Sequence, residues 1–294
     1  MLLGMQRAPG SALVALLLGL LFPSTATASD ILSHKVVMLR ALRPMGWDAA
    51  AMRDAVNVNV ATDLARLPTL AHTVTRVAWP ATYTRLDPVS RLCETASFSP
   101  RSSVGFHFNS LYRFDDIARR WADLDGWVDG QCRHLAARGV PKEDYRLLVG
   151  VVAHCVQDFY EHANWIGIID RFATRELKPG DYPLWEELME GTREWPAKDP
   201  GFDADAARNR MRASNARISD REELGGLQTG RIRAEVVPPG TVAPWMHRHY
   251  LGDQRWIVRD LGVRAVTRWT RLIDLRLDAA SRPSGTAMGL PGQQ

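Results

Sequence analysis

Net charge of either sign is nearly absent from this sequence of 294 residues. Lys and Arg total 37 against 33 Asp and Glu, which leaves a formal net charge of only +4. So small an excess does not by itself predict binding to nucleic acid. Hydrophobic residues make up 46% and charged residues 24% of the chain, which is typical of a globular protein and excludes an intrinsically disordered one.

The sequence also lacks an apolar run of the ~20 residues that a permanent membrane-spanning helix needs. Its longest run, residues 12–22 (ALVALLLGLLF), follows Arg7 and precedes the small residues Ala26 and Ala28. We therefore expect residues 1–28 to be a signal peptide that is cleaved after Ala28, with an uncleaved N-terminal anchor as the alternative. Cleavage would place the mature chain in the periplasm or outside the cell.

Cysteine is scarce, with only Cys93, Cys132 and Cys155 in the chain. No two of them have CxxC spacing, which excludes a zinc knuckle built on cysteine. In an oxidising compartment an odd number leaves one thiol free. We expect a bridge between Cys93 and Cys132, because Cys155 lies inside a helical motif. Three buried free thiols are the alternative.

Hydrophobic residues recur at helical spacing along the chain, and no segment alternates with period two for long enough to require a sheet. The fold class is therefore predicted to be all-α, a multi-helix bundle. The predicted helix at 144–169 is almost wholly apolar in its early turns, as expected for the centre of such a bundle. Residues 80–103, rich in Pro, Ser and Thr, predict an irregular connection. The other predicted helices cover residues 33–42, 48–67, 114–138 and 255–277.

We expect one domain over residues 29–282. Within it, residues 178–240 are charged and rich in Pro, Gly and Asp, which predicts a long irregular insertion with one helix at 203–218. The only strand candidate is 231–237. Residues 283–294 are small and mostly polar, and they predict a disordered tail.

The most informative segment is residues 153–165 (AHCVQDFYEHANW), which carries His154, Asp158 and His162. On a helix each step of four residues turns ~400°, so the three side chains share one face. The two histidines lie ~12 Å apart along a straight helix, too far to share one ion with bonds of ~2.0–2.2 Å. Either the helix breaks near Tyr160, or Asp158 bridges two metals. A solvated polar face is the alternative, but the apolar turns before His154 indicate burial, where such residues need partners or a metal.

This segment resembles the zinc-dependent phospholipase C and single-strand nuclease superfamily, and most closely its Het-C-like branch. The resemblance rests on the pattern His-x3-Asp-Phe followed by His-x-Asn-Trp, although the second histidine follows the aspartate by four residues where the phospholipases have six. Residues 106–109 (FHFN) resemble a family segment that supplies a zinc-binding histidine. The resemblance implies an all-α bundle of phospholipase C/nuclease type with two or three zinc ions in a cleft.

Shorter matches extend the implied ligand set. The segment at Ser33 resembles an early Ser/Thr-His segment, and residues 249–253 (HYLGD) resemble a late His-carboxylate pair, for which His247 is a rival ligand. Residues 227–230 (LQTG) resemble a short segment of the Het-C-like branch. In the phospholipases and nucleases a zinc-binding Trp begins the mature chain, whereas the expected cleavage here leaves Ser29. The resemblance thus implies a metal cluster formed by His34, Asp63, His107, His154, Asp158, His162, His249 and Asp253.

By the same resemblance, the protein is expected to be a secreted zinc-dependent hydrolase of phosphoesters, with phospholipid headgroups as the preferred substrate. Asp158 would bridge metals, and Asp63 would orient the attacking water. One alternative is a zinc-stabilised helical domain that binds a partner or a membrane surface without turnover. Another is a single-strand nuclease, which needs stacking aromatics and a basic rim. His72 and His134 have no neighbours that indicate a ligand role.

Three aromatic residues lie close to the candidate ligands in sequence, namely Phe108, Tyr160 and Trp165. They would either line the substrate pocket or pack in the core, and core packing is the commoner role of such residues.

Overall fold

The computed structural model describes residues 26–64, 76, 79–94, 106–108, 111, 113–189, 199–213, 227, 229 and 254–282. These residues form helices joined by short connections, which confirms the all-α fold class. A 3-10 turn, Arg43–Met45, follows the first helix. The α-helices are α1 (Ala26–Leu42), α2 (Ala49–Leu64), α3 (Pro80–Tyr83), α4 (Leu86–Glu94), α5 (Phe114–Ala137), α6 (Lys142–His162), α7 (Trp165–Phe172), α8 (Trp185–Met189), α9 (Ala204–Arg212) and α10 (Gln254–Ser281).

Helix α6 forms the centre of the bundle, as its apolar sequence predicted. It contacts α1, α2, α4, α5 and α10. Its residues 148–162 are all buried. An apolar helix with no polar face for water is stable only when neighbouring helices surround it. The polar residues at its C-terminal end are therefore carried into the interior.

The packing of α2 against α6 depends on Gly150. A Cβ atom at this position would lie 2.5 Å from Val58 Cγ1 and 2.8 Å from the carbonyl oxygen of Ala55. The two helices thus approach more closely than any side chain at this position would permit. Because Asp63 lies in the last turn of α2 and His154 lies one turn after Gly150, this approach also brings the two candidate ligands together.

The predicted helix at 144–169 is interrupted, which corrects the expectation of one continuous helix. Ala163 leaves the helix with φ −83° and ψ 148°, and α7 begins at Trp165. Ala163 forms an isolated antiparallel bridge with Thr229, and the indole Nε1 of Trp165 donates to the carbonyl of Pro183 at 2.9 Å. Both partners come from distant parts of the chain. The break therefore follows His162 directly, close to the alternative that placed it near Tyr160.

The prediction of an irregular connection at residues 80–103 is wrong over its described part. Helices α3 and α4 occupy residues 80–83 and 86–94. Pro80 begins α3, and Pro88 lies in the first turn of α4, where a missing amide hydrogen costs no helical hydrogen bond. Leu86 and Val89, three residues apart, are buried. The prolines therefore mark helix starts here.

The described parts of the region 178–240 pack against the rest of the bundle. Leu184, Trp185 and Leu188 are buried in the main core. Helix α9 packs against α7, and Asp203 caps its N-terminus by accepting the amide of Ala206 at 2.8 Å. The helix predicted at 203–218 ends at Arg212. The strand candidate at 231–237 and the tail at 283–294 lie outside the described residues.

The expected disulfide between Cys93 and Cys132 is wrong, because Cys132 is a buried thiol that forms no disulfide. Cys132 occupies an inner position of α5, and its thiol donates to the carbonyl of Ile273 on α10 at 3.9 Å. It therefore faces a helix of the bundle and takes part in core packing.

The first described helix begins at Ala26, so the expected cleavage position falls in its first turn. Most of the predicted signal peptide, residues 1–25, lies outside the described part of the chain. Among the described helices, none combines the length and the apolar character that crossing a membrane requires.

Candidate metal centre

Three candidate ligands from separate segments converge in the interior. Asp63 lies at the end of α2, His107 in the irregular segment 106–108, and His154 on α6. One possible ligand atom of each lies within 4.8 Å of the other two. The facing nitrogens, His154 Nε2 and His107 Nδ1, are 3.0 Å apart. Two imidazoles and one carboxylate are a common donor set for zinc and other transition metals.

The segment that carries His107 has no regular structure and is fixed by side chains from two helices. The amide of Phe108 donates to Asp158 Oδ2 at 2.7 Å. On the other side, Arg120 of α5 donates through Nη1 to the carbonyl of His107 at 3.1 Å. Arg120 is itself buried, which is rare for arginine and indicates a structural duty. Groups of the protein itself therefore hold His107 in position, before any ligand binds.

Asp158 joins two histidines without entering the group of three. Its Oδ1 lies 3.1 Å from His162 Nε2 and its Oδ2 3.5 Å from His107 Nδ1. Burial alone would raise the pKa of Asp158, but His162 and His107 together hold it well below its ordinary value. The side chain is thus a buried carboxylate that lies close to both imidazoles.

His154 is fully buried and is suited to bind a metal. Burial, followed by the proximity of His107 and His34, lowers the pKa of His154 well below the ordinary 6.5. The neutral ring is the form that ligates metals. Within the described part of the chain, its Nδ1 has no hydrogen-bond partner. A buried nitrogen without a partner costs about 1–3 kcal/mol, so a ligand or a water would stabilise it.

His34, from α1, lies beside this group. Its ring centroid is 4.8 Å from that of His154. Its Nδ1 is hydrogen-bonded to Gln157 Oε1, and its Nε2 is 3.4 Å from Glu161 Oε2. Burial would lower the pKa of His34, but the carboxylates of Glu161, Asp63 and Asp158 raise it above 6.5 overall. His34 therefore occupies the acidic side of the centre.

The structure brings together most of the predicted ligands, namely His34, Asp63, His107, His154, Asp158 and His162. The remaining two, His249 and Asp253, lie outside the described residues, as does the rival His247. His134, given no ligand role from sequence, is an exposed residue of α5. His72 also falls outside the described part.

Gln157, Glu161 and Arg120 contact the centre and were missed in the sequence. A signal for the first two was present, because they follow His154 by three and seven residues and so share its helix face. Arg120 had no such signal, since its contact is with a backbone carbonyl of a distant segment.

The segment 227–230, noted for its resemblance to the Het-C-like branch, lies next to the centre in its described residues. The amide of Thr229 donates to the carbonyl of Leu111 at 2.7 Å, and the amide of Leu111 donates to Thr229 Oγ1 at 2.9 Å. Thr229 also pairs with Ala163. Thr229 therefore connects Leu111, which follows His107 closely, to Ala163 at the end of α6.

The aromatic residues near the ligands belong to the core. Phe108, Tyr160 and Trp165 are each exposed by at most 1%. They pack with Phe159 at ring-centroid distances of 4.9–5.5 Å. Their role is to anchor the end of α6, and of the two roles considered for them core packing is the one observed.

Comparisons with models of protein families, with curated proteins and with solved structures found no match for this chain. The resemblance to the phospholipase C and nuclease superfamily therefore rests on the motifs quoted above. What it implies about activity, zinc and location enters below as a proposal.

Proposed function

We propose that this protein is a secreted or periplasmic, zinc-dependent hydrolase of phosphoesters, with phospholipid headgroups as the preferred substrate. The observation that carries the proposal is the convergence of Asp63, His107 and His154 within 4.8 Å. Structural zinc sites use four protein ligands, whereas catalytic sites keep one of four positions open for water or substrate. A set of two imidazoles and one carboxylate fits the second arrangement.

When bound, the ion would stabilise charge on a phosphoryl oxygen and lower the pKa of a bound water. The protein's residues have separate duties in this proposal. His107 and His154 present ring nitrogens, and Asp63 presents a carboxylate oxygen that also orients the water. Asp158 stays ionised, holds the ring of His162 and accepts the amide of Phe108, which fixes the segment that carries His107 before the ion arrives.

A non-catalytic helical domain that zinc stabilises is the second candidate. The observation that favours it is burial, since His154 is 0% and Asp158 2% exposed. A site closed to solvent suits a metal that contributes to folding. In that role the protein would bind a partner or a membrane surface without turnover.

The decisive experiment combines metal analysis with activity. Zinc content is measured by elemental mass spectrometry, and hydrolysis is assayed on bis(p-nitrophenyl) phosphate, phosphatidylcholine vesicles and single-stranded DNA. The variants are His154→Ala and, as matched control, His134→Ala, whose side chain is exposed on α5. We expect zinc and turnover in the wild type and the control, and the loss of both in His154→Ala.

Each other result has a definite meaning. Zinc without turnover on any substrate, combined with unfolding on chelation, would support the binding domain. Cleavage of single-stranded DNA alone would favour the nuclease. A wild-type protein that binds no zinc would overturn both the hydrolase and the zinc-stabilised domain.

A further inference from the structure

Asn59 is a polar residue enclosed in the bundle, one turn before Asp63 on α2. Its side chain is 0% exposed. Within the described part of the chain, neither its Oδ1 nor its Nδ2 has a hydrogen-bond partner. Buried side-chain amides nearly always have partners, because an unpaired one destabilises the fold. Asn59 therefore calls for a partner that the surrounding protein atoms do not supply.

The register of α2 against α6 places Asn59 at the level of His154. The carbonyl of Ala55 lies beside Gly150, and further along both helices a ligand atom of Asp63 lies within 4.8 Å of one on His154. The two helices therefore run in the same direction. Ala55, Asn59 and Asp63 follow one another at steps of four residues and share one face of α2. Asn59 thus lies on the face that meets α6, between these two contacts.

The second ring nitrogen of His154 needs an acceptor once an ion binds the first. His154 Nε2 is the nitrogen that faces His107, so the ion would bind there and the neutral ring would carry its hydrogen on Nδ1. A histidine that binds a metal almost always donates its other N–H group to a carboxylate, a carbonyl or a water. Among the described residues, His154 Nδ1 has no such partner.

The acceptor is better supplied by Asn59 than by Gln157, which follows His154 by three residues. Gln157 Oε1 is hydrogen-bonded to His34 Nδ1, and its unpartnered atom is Nε2, which can only donate. Asn59 Oδ1 is an acceptor that no described group uses. Because no direct hydrogen bond joins Asn59 to His154, one water would connect them, as buried waters commonly connect polar groups that lack partners.

We propose that Asn59 is the positioning residue of His154, and that it holds the Nδ1–H group of this histidine through one buried water. The water accepts from Nδ1 and donates to Asn59 Oδ1. This fixes the tautomer in which Nε2 keeps its lone pair for the ion. The inference rests on the proposed metal centre and deepens it, because it names the group that prepares one of its ligands.

Zinc affinity gives the first readout. The full chain is stripped of metal, and its affinity for zinc is measured by competition with a chelator. Leucine resembles asparagine in shape but has no polar atoms, so Asn59→Leu should fold and should bind zinc about 10–100-fold more weakly than the wild type. The matched control is Thr62→Val on the same helix. The buried hydroxyl of Thr62 donates to the carbonyl of Val58 at 2.9 Å, so this variant should keep the affinity of the wild type.

A spectroscopic readout separates positioning from a general effect on packing. In zinc-loaded protein with isotope-labelled histidine, NMR should show the Nδ1–H resonance of His154. In Asn59→Leu this proton loses its acceptor, and its resonance should move upfield. An unshifted resonance, or a zinc affinity of Asn59→Leu equal to that of the control, would overturn the inference.

Asn59→Asp provides a second variant in case Asn59→Leu does not fold. The aspartate keeps an acceptor oxygen at the same place, and hydrogen bonds to charged acceptors are the stronger ones. Its Nδ1–H resonance should therefore stay downfield, and its zinc affinity should at least equal that of the wild type. A zinc affinity tenfold or more below the wild type would contradict the inference.

The failure of this inference is distinguishable from that of the proposed function. Turnover in the wild type, with equal zinc affinity in Asn59→Leu, would remove the role of Asn59 and leave the hydrolase standing. Zinc binding that depends on Asn59, in a protein without turnover, would keep the inference and support the binding domain. A wild type that binds no zinc would remove both.

Discussion

His154 Nε2 lies 3.0 Å from His107 Nδ1, and the two rings are nearly perpendicular at 85°. Two imidazole nitrogens at this distance either share one proton or both direct lone pairs at one ion. His154 belongs to the central helix α6, whereas His107 belongs to the irregular segment 106–108. The contact therefore depends on the groups that hold that segment, Asp158 and Arg120.

Replacing Asp158 with asparagine should weaken the centre, although no candidate ligand of the group of three is changed. The variant loses the charge that holds the ring of His162 and the amide of Phe108 beside His107, so zinc affinity should fall about 10–100-fold. Without metal, the loss of a buried ionic partner should lower the free energy of unfolding by about 3 kcal/mol. Competition with a zinc chelator and urea denaturation measure the two effects.

The control for this change is Asp129→Asn, which removes an exposed ion pair with Arg133. Exposed pairs contribute ~0–1 kcal/mol, so both quantities should stay close to the wild type. Zinc affinity in Asp158→Asn equal to that of the control would show that Asp158 does not orient the ligands.

The pH dependence of stability should reveal the buried neutral His154. Because its pKa lies well below 6.5 in the folded protein, the unfolded chain binds one more proton as the pH falls below 6.5. The free energy of unfolding should then decrease by up to ~1.4 kcal/mol per pH unit. His34, whose pKa is raised, acts in the opposite direction, so a comparison of variants is required.

The measurement is urea unfolding of chelator-treated protein between pH 8 and pH 5, for the wild type and for His154→Gln. Below pH 6.5, the wild type should lose stability more steeply than the variant. Parallel curves for the two proteins would mean that His154 is not held neutral by its surroundings.

The helices could be predicted where hydrophobic residues recur at helical spacing. α5 and α10 follow their hydrophobic spacing closely, and α6 was placed at the centre by its apolar turns. The break after His162 was harder to place, because its cause lies outside the segment. Thr229 pairs with Ala163, and nothing in local spacing indicates a partner so far along the chain.

The candidate site was predictable to the extent that its residues carry recognisable chemistry. His154, Asp158 and His162 share a helix face by spacing alone. The convergence of Asp63 with His154 depends on the close approach at Gly150, a packing relationship that spacing does not contain. Glu161 was overlooked because a glutamate near the end of a helix is ordinarily solvated.

Thiol mapping should find Cys132 free and unreactive in the native protein. Burial raises the pKa of its thiol to about 11, so the thiolate that reacts with alkylating agents is nearly absent at pH 8. Iodoacetamide followed by peptide mass mapping under non-reducing conditions should label Cys132 only after denaturation. Its recovery in a disulfide-linked peptide with Cys93 would restore the bridge expected from the sequence.

Substitution of Gly150 with alanine should separate α2 from α6. The new Cβ would lie 2.5 Å from Val58 Cγ1 and 2.8 Å from the backbone oxygen of Ala55, which cannot move away alone. Such overpacking costs about 1–3 kcal/mol. Because Asp63 and His154 come from these two helices, zinc affinity should fall as well.

The matched control is Gly126→Ala in α5, where a Cβ would meet no atom within 4 Å. Alanine in a helix interior is favoured over glycine by ~1 kcal/mol, so this variant should gain stability and keep its zinc affinity. Thermal unfolding gives the stability of both variants, and chelator competition gives their zinc affinity. Comparing the two variants separates the general effect of alanine in a helix from the effect of moving α2 away from α6. Equal zinc affinity in the two variants would mean that the spacing of α2 and α6 does not set the distance between Asp63 and His154.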